Sequence, residues 1–338
     1  MHMADALLSP TVGCTMWGIS ATAIVYCSKK LRAAASDSMA PLMGVLGAFI
    51  FAAQMINFTI PMTGSSGHLG GGLLLAILLG PEAAFLTIAS VLVIQAFFFA
   101  DGGLLALGCN MFNLGFFPAF IVYPLIYRKY IGQAPSPARI STISLLSAII
   151  GLQLGAAAVV VETVASGITA LPFTAFAVVM QPIHLAIGIV EGVVTASIIT
   201  FIAQARPEII RSSLTSPQKP GRSLRPLLLS LLVVALLAGG VVSRFASRLP
   251  DGLEWSVATV TGGQEPAAPG HGVHTTLATL QQKCAILPDY SFKGGTSPRT
   301  IGSGSGSAPS ISGLAGGAAA LLLSFSLPFL LTRRKRQP

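Results

Sequence analysis

The sequence predicts an all-α protein that crosses a membrane several times. Three observations carry this. Hydrophobic residues make up 53% of the 338 and charged residues only 9%, whereas an ordinary soluble domain carries about 25% charged residues. The apolar residues fall into nine runs, most of them long enough to span a bilayer. Lys and Arg gather at the ends of those runs. The surplus apolar surface must face lipid, where helices or closed barrels alone satisfy every backbone group.

The runs cover about 9–28, 40–58, 69–80, 82–99, 110–127, 139–161, 181–204, 226–243 and 313–331. The third is the weak one: as a helix it reaches only about 18 Å, short of the roughly 30 Å hydrocarbon layer, so a short or partly buried helix is expected there. Between the seventh and eighth runs lies a polar stretch with Arg206, Arg211, Lys219, Arg222 and Arg225. The expected organisation is a seven-helix substrate-binding bundle over 1–205, a cytoplasmic linker over 206–225, and a two-helix hairpin over 226–338. The hairpin is expected to carry a long external Gly/Ser/Pro-rich loop at 244–312.

Charge placement orients the chain. Lys29, Lys30 and Arg32 follow the first run, Arg128 and Lys129 the fifth, and Arg333, Arg334, Lys335 and Arg336 close the sequence. With nine crossings every cluster falls on the cytoplasmic side, which puts the N-terminus outside and the C-terminus inside. The net charge of +9 therefore reads as membrane topology, with no role in binding nucleic acid. The expected location is a prokaryotic cell (inner) membrane. Cys14, Cys27, Cys109 and Cys284 show neither a CxxC pair nor a zinc spacing and read as packing residues. No positive n-region precedes the first run, so no cleaved leader is expected.

Two polar features converge on the outer side. Met1-His2 offers a divalent ion an α-amine, a backbone amide nitrogen and an imidazole. Together they close fused chelate rings in one plane. His68, in TGSSGHLGGG (63–72), would supply a fourth nitrogen. Square-planar nitrogen sites are diagnostic of Ni(II) or Cu(II). The bulk of His2 should protect Met1 from removal by aminopeptidase. The glycines around His68 allow close backbone approach.

Other polar residues are candidates for support. Ser66, Gln54, Asn57, Gln95, Asp101, Asn110 and Asn113 are expected to fix the loops or orient His68 by hydrogen bonds. His184 and Glu191 lie seven residues apart on one helix face, and Glu162 sits near the outer end of its helix. A polar seam between helices is the favoured reading of these three; a buried catalytic cluster is the alternative. Ala48 and Ala52 form a small-xxx-small pair suited to a partner subunit. His271 and His274 are an ordinary loop pair or, alternatively, pre-capture metal.

The opening MHMADALLSP, AAQMINFTIP (52–61), GSSGHLGGGLLLAILLGPEAA (64–84), VIQAFFFADGGLLALGCNMFNLG (93–115) and QPIHLAIGIVEGVVTA (181–196) resemble the NikM/CbiM substrate-binding subunits of energy-coupling-factor nickel and cobalt transporters. Residues 226–338, with LPDGLEW (249–255) and PDYSF (288–292), resemble the two-span NikN partner, here fused. The resemblance implies a non-enzymatic subunit that binds Ni2+ or Co2+ as transported substrate, through the same Met1, His2 and His68 nitrogens, with no organic cofactor. It also implies a transmembrane coupling subunit and cytoplasmic ATPases as partners; the sequence itself has no GxxxxGK[ST] motif. The opening is closer to the nickel branch, although Ala6 stands where relatives often have Gly. Cobalt uptake for cobalamin synthesis is the neighbouring alternative. A membrane enzyme built on the His/Glu residues, or a self-sufficient channel, is more remote.

Overall fold

The computed structural model describes residues 2–34, 39–133, 135–206, 224–264, 266–293 and 307–333. Each of the nine apolar runs contains a helix. In chain order the bundle contains α1 (Pro10–Ala34), α2 (Met39–Gln54), α3 (Gly72–Leu79), α4 (Pro81–Phe99), α5 (Leu107–Ile131), α6 (Pro137–Ser166) and α7 (Phe173–Ala205). Then come α8 (Arg225–Gly240), α9 (Gly252–Thr261), α10 (Val273–Cys284) and α11 (Ala308–Arg333). Six of these, α4 to α8 and α11, are long and apolar enough to cross a membrane. Leu125, Val193, Phe201, Leu229, Leu322 and Leu330 lie exposed on their flanks, as a lipid-facing surface requires.

Small residues let the helices approach. On α7, a Cβ on Gly188 would stand 3.0 Å from Ile149 Cα and one on Gly192 2.7 Å from Leu145 Cα, so α6 and α7 pack almost backbone to backbone. The sequence suggests that α7 starts at Gln181-Pro182, but the helix begins at Phe173 and carries Pro182 inside it. The Gln153 amide donates to the Gln181 carbonyl at 2.9 Å beside this interruption. Pro118 and Pro124 likewise lie inside α5, which winds as a wider π-helix over Phe112–Tyr127.

One expectation, a short buried third helix, holds, and two features depart from what the sequence suggests. The third run forms a helix of only eight residues, all buried, roughly 12 Å long. It ends at Gly80, where φ is +80°, and α4 runs back along it. The 244–312 segment is no plain loop, because α9 and α10 fold within it; residues 294–306 lie outside the described part. A short antiparallel hairpin, β1 (Phe58–Ile60) with β2 (Ser65–Gly67), also pairs Phe58 with Gly67.

The hairpin helices α8 and α11 are integral to the bundle. A Cβ on Gly313 of α11 would meet the Gly239 carbonyl oxygen of α8 at 2.2 Å, and one on Gly316 would overlap the Phe51 ring at 2.0 Å. Gly47 of α2 faces Ser324 and the Ala320 carbonyl. The small face of α2 that includes Ala48 is therefore covered by α11. This corrects the expectation that Ala48 and Ala52 receive a separate subunit.

The close approach of Gly316 to Phe51 makes a testable prediction. Gly316→Ala should overpack the α2–α11 contact and cost about 1–3 kcal/mol, seen as a lower midpoint of thermal unfolding in detergent. Gly18→Ala, where an added Cβ meets nothing within 4 Å, should be neutral or slightly stabilising.

Candidate metal site

The N-terminal segment is threaded into the end of the bundle. Met3 is fully buried. Its N–H donates to Asn110 Oδ1 at 2.8 Å, and its carbonyl accepts from Gly103 N–H at 2.9 Å and from Asn110 Nδ2 at 3.3 Å. Asp5 Oδ1 accepts the Ala106 N–H at 3.0 Å, and Leu8 begins the turn into α1. This clamp fixes where the neighbouring His2 must lie. Met1 itself lies outside the described residues.

His68 follows β2 directly and is held from three sides. Gln54 Nε2 donates to the Gly70 carbonyl at 2.8 Å, and Gln95 Nε2 donates to Gln54 Oε1 at 2.8 Å. Glu191 accepts the next two backbone donors: Gly70 N–H at 2.8 Å on Oε2 and Gly71 N–H at 3.0 Å on Oε1. These donors open α3, so a carboxylate there also matches the positive end of the helix. Gly71 sits at φ +79° against Ile50, a conformation that suits glycine.

Both histidines end up side by side. Their ring centroids are 5.0 Å apart and the planes tilt by 16°. Burial is the first cause that lowers the proton affinity of each ring. Asp101 opposes this at His2, with Oδ1 3.5 Å from Nδ1. Nδ1 of His68 lies 3.1 Å from the Leu69 carbonyl oxygen. A carbonyl only accepts, so Nδ1 bears the proton and Nε2 presents a lone pair. Among the described residues, no group of three or more His, Cys, Asp or Glu side chains could hold a metal. A metal at this place would therefore need backbone nitrogens as well as the two imidazoles.

The C-terminal segment roofs the site. A cavity of about 530 Å³ is lined by His2, His68, Gln54, Asn57, Asp101 and residues of the 243–251 stretch. Asp251 caps α9: its Oδ1 accepts Leu253 and Glu254 N–H at 2.9 Å each, and Glu254 Oε2 accepts the Asp251 N–H at 3.2 Å. This is a capping box. Gly252 is small because an added Cβ would stand 3.1 Å from His184 Cε1 and 3.0 Å from Ile187. The roof is tied down by the Ser66 N–H donating to the Pro250 carbonyl at 2.8 Å and by the Ser247 N–H donating to the Asn57 carbonyl at 2.7 Å. Gln281 Nε2 donates to the Ala96 and Gly102 carbonyls at 2.9 and 2.7 Å. The Tyr290 hydroxyl donates to Asp101 Oδ2.

The expected support residues thus take distinct places. Gln54, Gln95 and Asn110 hold the two histidine-bearing segments. Asp101 faces His2. Ser66 and Asn57 bond instead to the C-terminal segment; the Ser66 hydroxyl also donates to the Leu249 carbonyl at 2.8 Å. His184, Glu191 and Glu162 are not drawn into one cluster. His184 Nδ1 donates to Met180 O at 2.8 Å, while Glu162 accepts from Asn113 Nδ2 at 2.8 Å. His271 lies on the surface, but His274 is buried and its Nε2 donates to Leu8 O at 2.8 Å. That is a structural tie, which a loop histidine does not predict. Asp251, Gln281 and Tyr290 were not singled out from the sequence. Only the D-x-x-E of a capping box in LPDGLEW offered a local signal.

Fold and site together define a multi-pass helical membrane protein with a buried histidine pair at one end of its bundle. The chain belongs to the family described as "cobalt uptake substrate-specific transmembrane region", whose pattern matches residues 2–209; a PDGLE domain matches 225–333. It is 31% identical to the fused nickel transport protein NikMN of Rhodobacter capsulatus, over 86% of this chain and 88% of that one. It is 28% identical to the cobalt transport protein CbiM of Sorangium cellulosum, over 66% of this chain and all of that one. Two crystal structures titled as transition metal transporters superpose with TM-scores of 0.54 and 0.55. They share 28% and 27% identity with this chain, cover 61% and 63% of it, and are matched over 99% and 97% of their own lengths.

Replacing Glu191 tests the anchoring of the His68 loop. Glu191→Gln presents an amide where one of two backbone donors needs an acceptor. It should cost about 1.5–3 kcal/mol, measured as a lowered unfolding midpoint in detergent.

Proposed function

We propose that this chain is the metal-capturing subunit of an ATP-driven energy-coupling-factor transporter that imports nickel, with cobalt as the neighbouring substrate. The reading rests on one observation: the nearly buried imidazole of His2, at the end of a clamped N-terminal segment, stands 5.0 Å from the equally enclosed imidazole of His68. The Met1 amine and the His2 amide nitrogen would add two donors to the two ring nitrogens. The fused rings from the first two residues would keep three of the four in one plane. Ni(II) favours that arrangement, whereas Zn(II) prefers a tetrahedron and Mg(II) and Ca(II) prefer oxygen. The name of the Rhodobacter relative, which spans both domains, supports nickel over cobalt.

Direction follows from charge. The His2 end of α1 is remote from Lys29, Lys30 and Arg32, and the Asn110 end of α5 is remote from Arg128 and Lys129. By the positive-inside rule the site then faces outward, in a prokaryotic cell membrane. Residues 1–205 would form the capture module, 206–225 a cytoplasmic linker and 226–338 the second module. ATP hydrolysis would belong to cytoplasmic partners, joined through a transmembrane coupling subunit. Nothing in this scheme transforms the ion.

A single Ala inserted between Met1 and His2 tests the chelate, since it enlarges one ring and shifts the imidazole out of register. Nickel bound per purified protein, measured by elemental analysis, should fall close to zero. His68→Ala should do the same and His271→Ala should not. Retention of a stoichiometric metal by the insertion variant would refute the four-nitrogen site.

A further inference from the structure

Tyr290, in the segment between α10 and α11, reaches toward the histidine pair from the C-terminal domain. Its turn, Pro288–Tyr290, is pinned to the end of α4: the Ile286 and Leu287 N–H groups donate to the Phe98 carbonyl at 3.0 and 3.1 Å. The Tyr290 ring stacks on Phe99, with centroids 4.9 Å apart and planes 21° from parallel, and meets Phe51 edge-on at 6.5 Å. Its hydroxyl donates to Asp101 Oδ2, while Asp101 Oδ1 stands 3.5 Å from His2 Nδ1. Two contacts thus lead from the C-terminal domain to the His2 ring.

The backbone is bent to make them. Asp289 and Tyr290 sit at φ +48° and +57°, and Ala100, immediately before Asp101, at +53°. Among the described residues only Met62, in the β1–β2 turn, is another non-glycine residue at positive φ. That conformation is uncommon for any side chain and an outlier for a bulky one. Strain of this kind persists only where the surroundings enforce it, and it gathers at functional sites. Here it falls on both sides of one hydrogen bond.

Chelate geometry gives the contact a purpose. A ring that includes the His2 amide nitrogen closes through Nδ1, the imidazole nitrogen nearer the backbone; Nε2 is out of reach. Asp101 faces Nδ1 and so directs how the ring presents it. A carboxylate held by one oxygen can still swing, and the Tyr290 hydroxyl holds the other. The stack on Phe99 removes the same freedom from the tyrosine.

Resting on the reading of Met1, His2 and His68 as the nickel site, we infer that Tyr290 is a positioning residue for metal capture: through Asp101 it holds the His2 imidazole in the orientation the chelate needs. The C-terminal domain then tunes affinity without supplying a ligand.

The test is a double-mutant cycle on Ni(II) affinity, by titration calorimetry, in the full chain with its native N-terminus. Tyr290→Phe keeps the stacked ring and removes the donor. It should weaken binding about tenfold or more, as loss of a group behind a metal ligand does. Asp101→Asn should weaken it at least as much, and the two losses should not multiply in the double variant, because both break one line of contacts. If Asp101→Asn does not fold, Asp101→Ser takes its place. A tyrosine that merely holds the domain down would cost the same factor whether or not Asp101 is replaced. That result, or unaltered affinity in Tyr290→Phe, would overturn the inference. If His68→Ala abolishes binding while Tyr290→Phe leaves it intact, the role of Tyr290 alone has failed. If His68→Ala also binds normally, the four-nitrogen reading has failed with it.

Discussion

A backbone N–H buried among helices and away from water needs an acceptor, and the carboxylate of Glu191 provides one to each of two consecutive donors, Gly70 and Gly71. In lipid an unmet donor costs several kcal/mol. The chain between β2 and α3 therefore cannot move away without stranding those donors and the carboxylate together. Gln54 and Gln95 close the other side of the same loop. His68 lies two residues before this anchor, so its position follows from it. Met3 plays the matching part for His2, with its N–H and carbonyl both held. Two separately anchored backbones thus set a pair of rings face to face.

The polar residues inside this bundle are mostly scaffold. Glu162 with Asn113, and His184 with the Met180 carbonyl, satisfy groups within the helix interfaces. Their separation matters for chemistry, because general acid–base work needs partners within reach of one another. At the bundle end the His2 and His68 imidazoles stand side by side, with the Asp101 and Asp251 carboxylates near them.

The C-terminal segment is part of the same architecture. Gly313 and Gly316 bring α11 against α8 and α2 so closely that larger residues would collide. The capping box at Asp251 then places a rigid helix start over the histidines, and Gly252 at its first turn lets it lie against His184 and Ile187. A short local motif, written in the five residues 250–254, becomes the lid of a site whose walls in the N-terminal domain, from His2 to Asp101, lie about 150 to 250 residues away in sequence.

All-helical membrane character and the nine apolar segments follow from the sequence alone, because the lipid constraint acts on composition run by run. Met1-His2 and His68 were legible as candidate ligands because polar groups are few in so apolar a chain. The start of α7 at Phe173 and the two helices inside 244–312 were not legible. Proline at 182 looked like a boundary, and glycine-rich polar sequence looks the same whether or not it packs. Which small residues face one another, that α11 covers Ala48, and that Asp251 stands 3.9 Å from His68 were decided only in three dimensions. Hydropathy and charge act locally along the chain. Contact between residues 183 positions apart depends on how helices stack, and no local pattern records that.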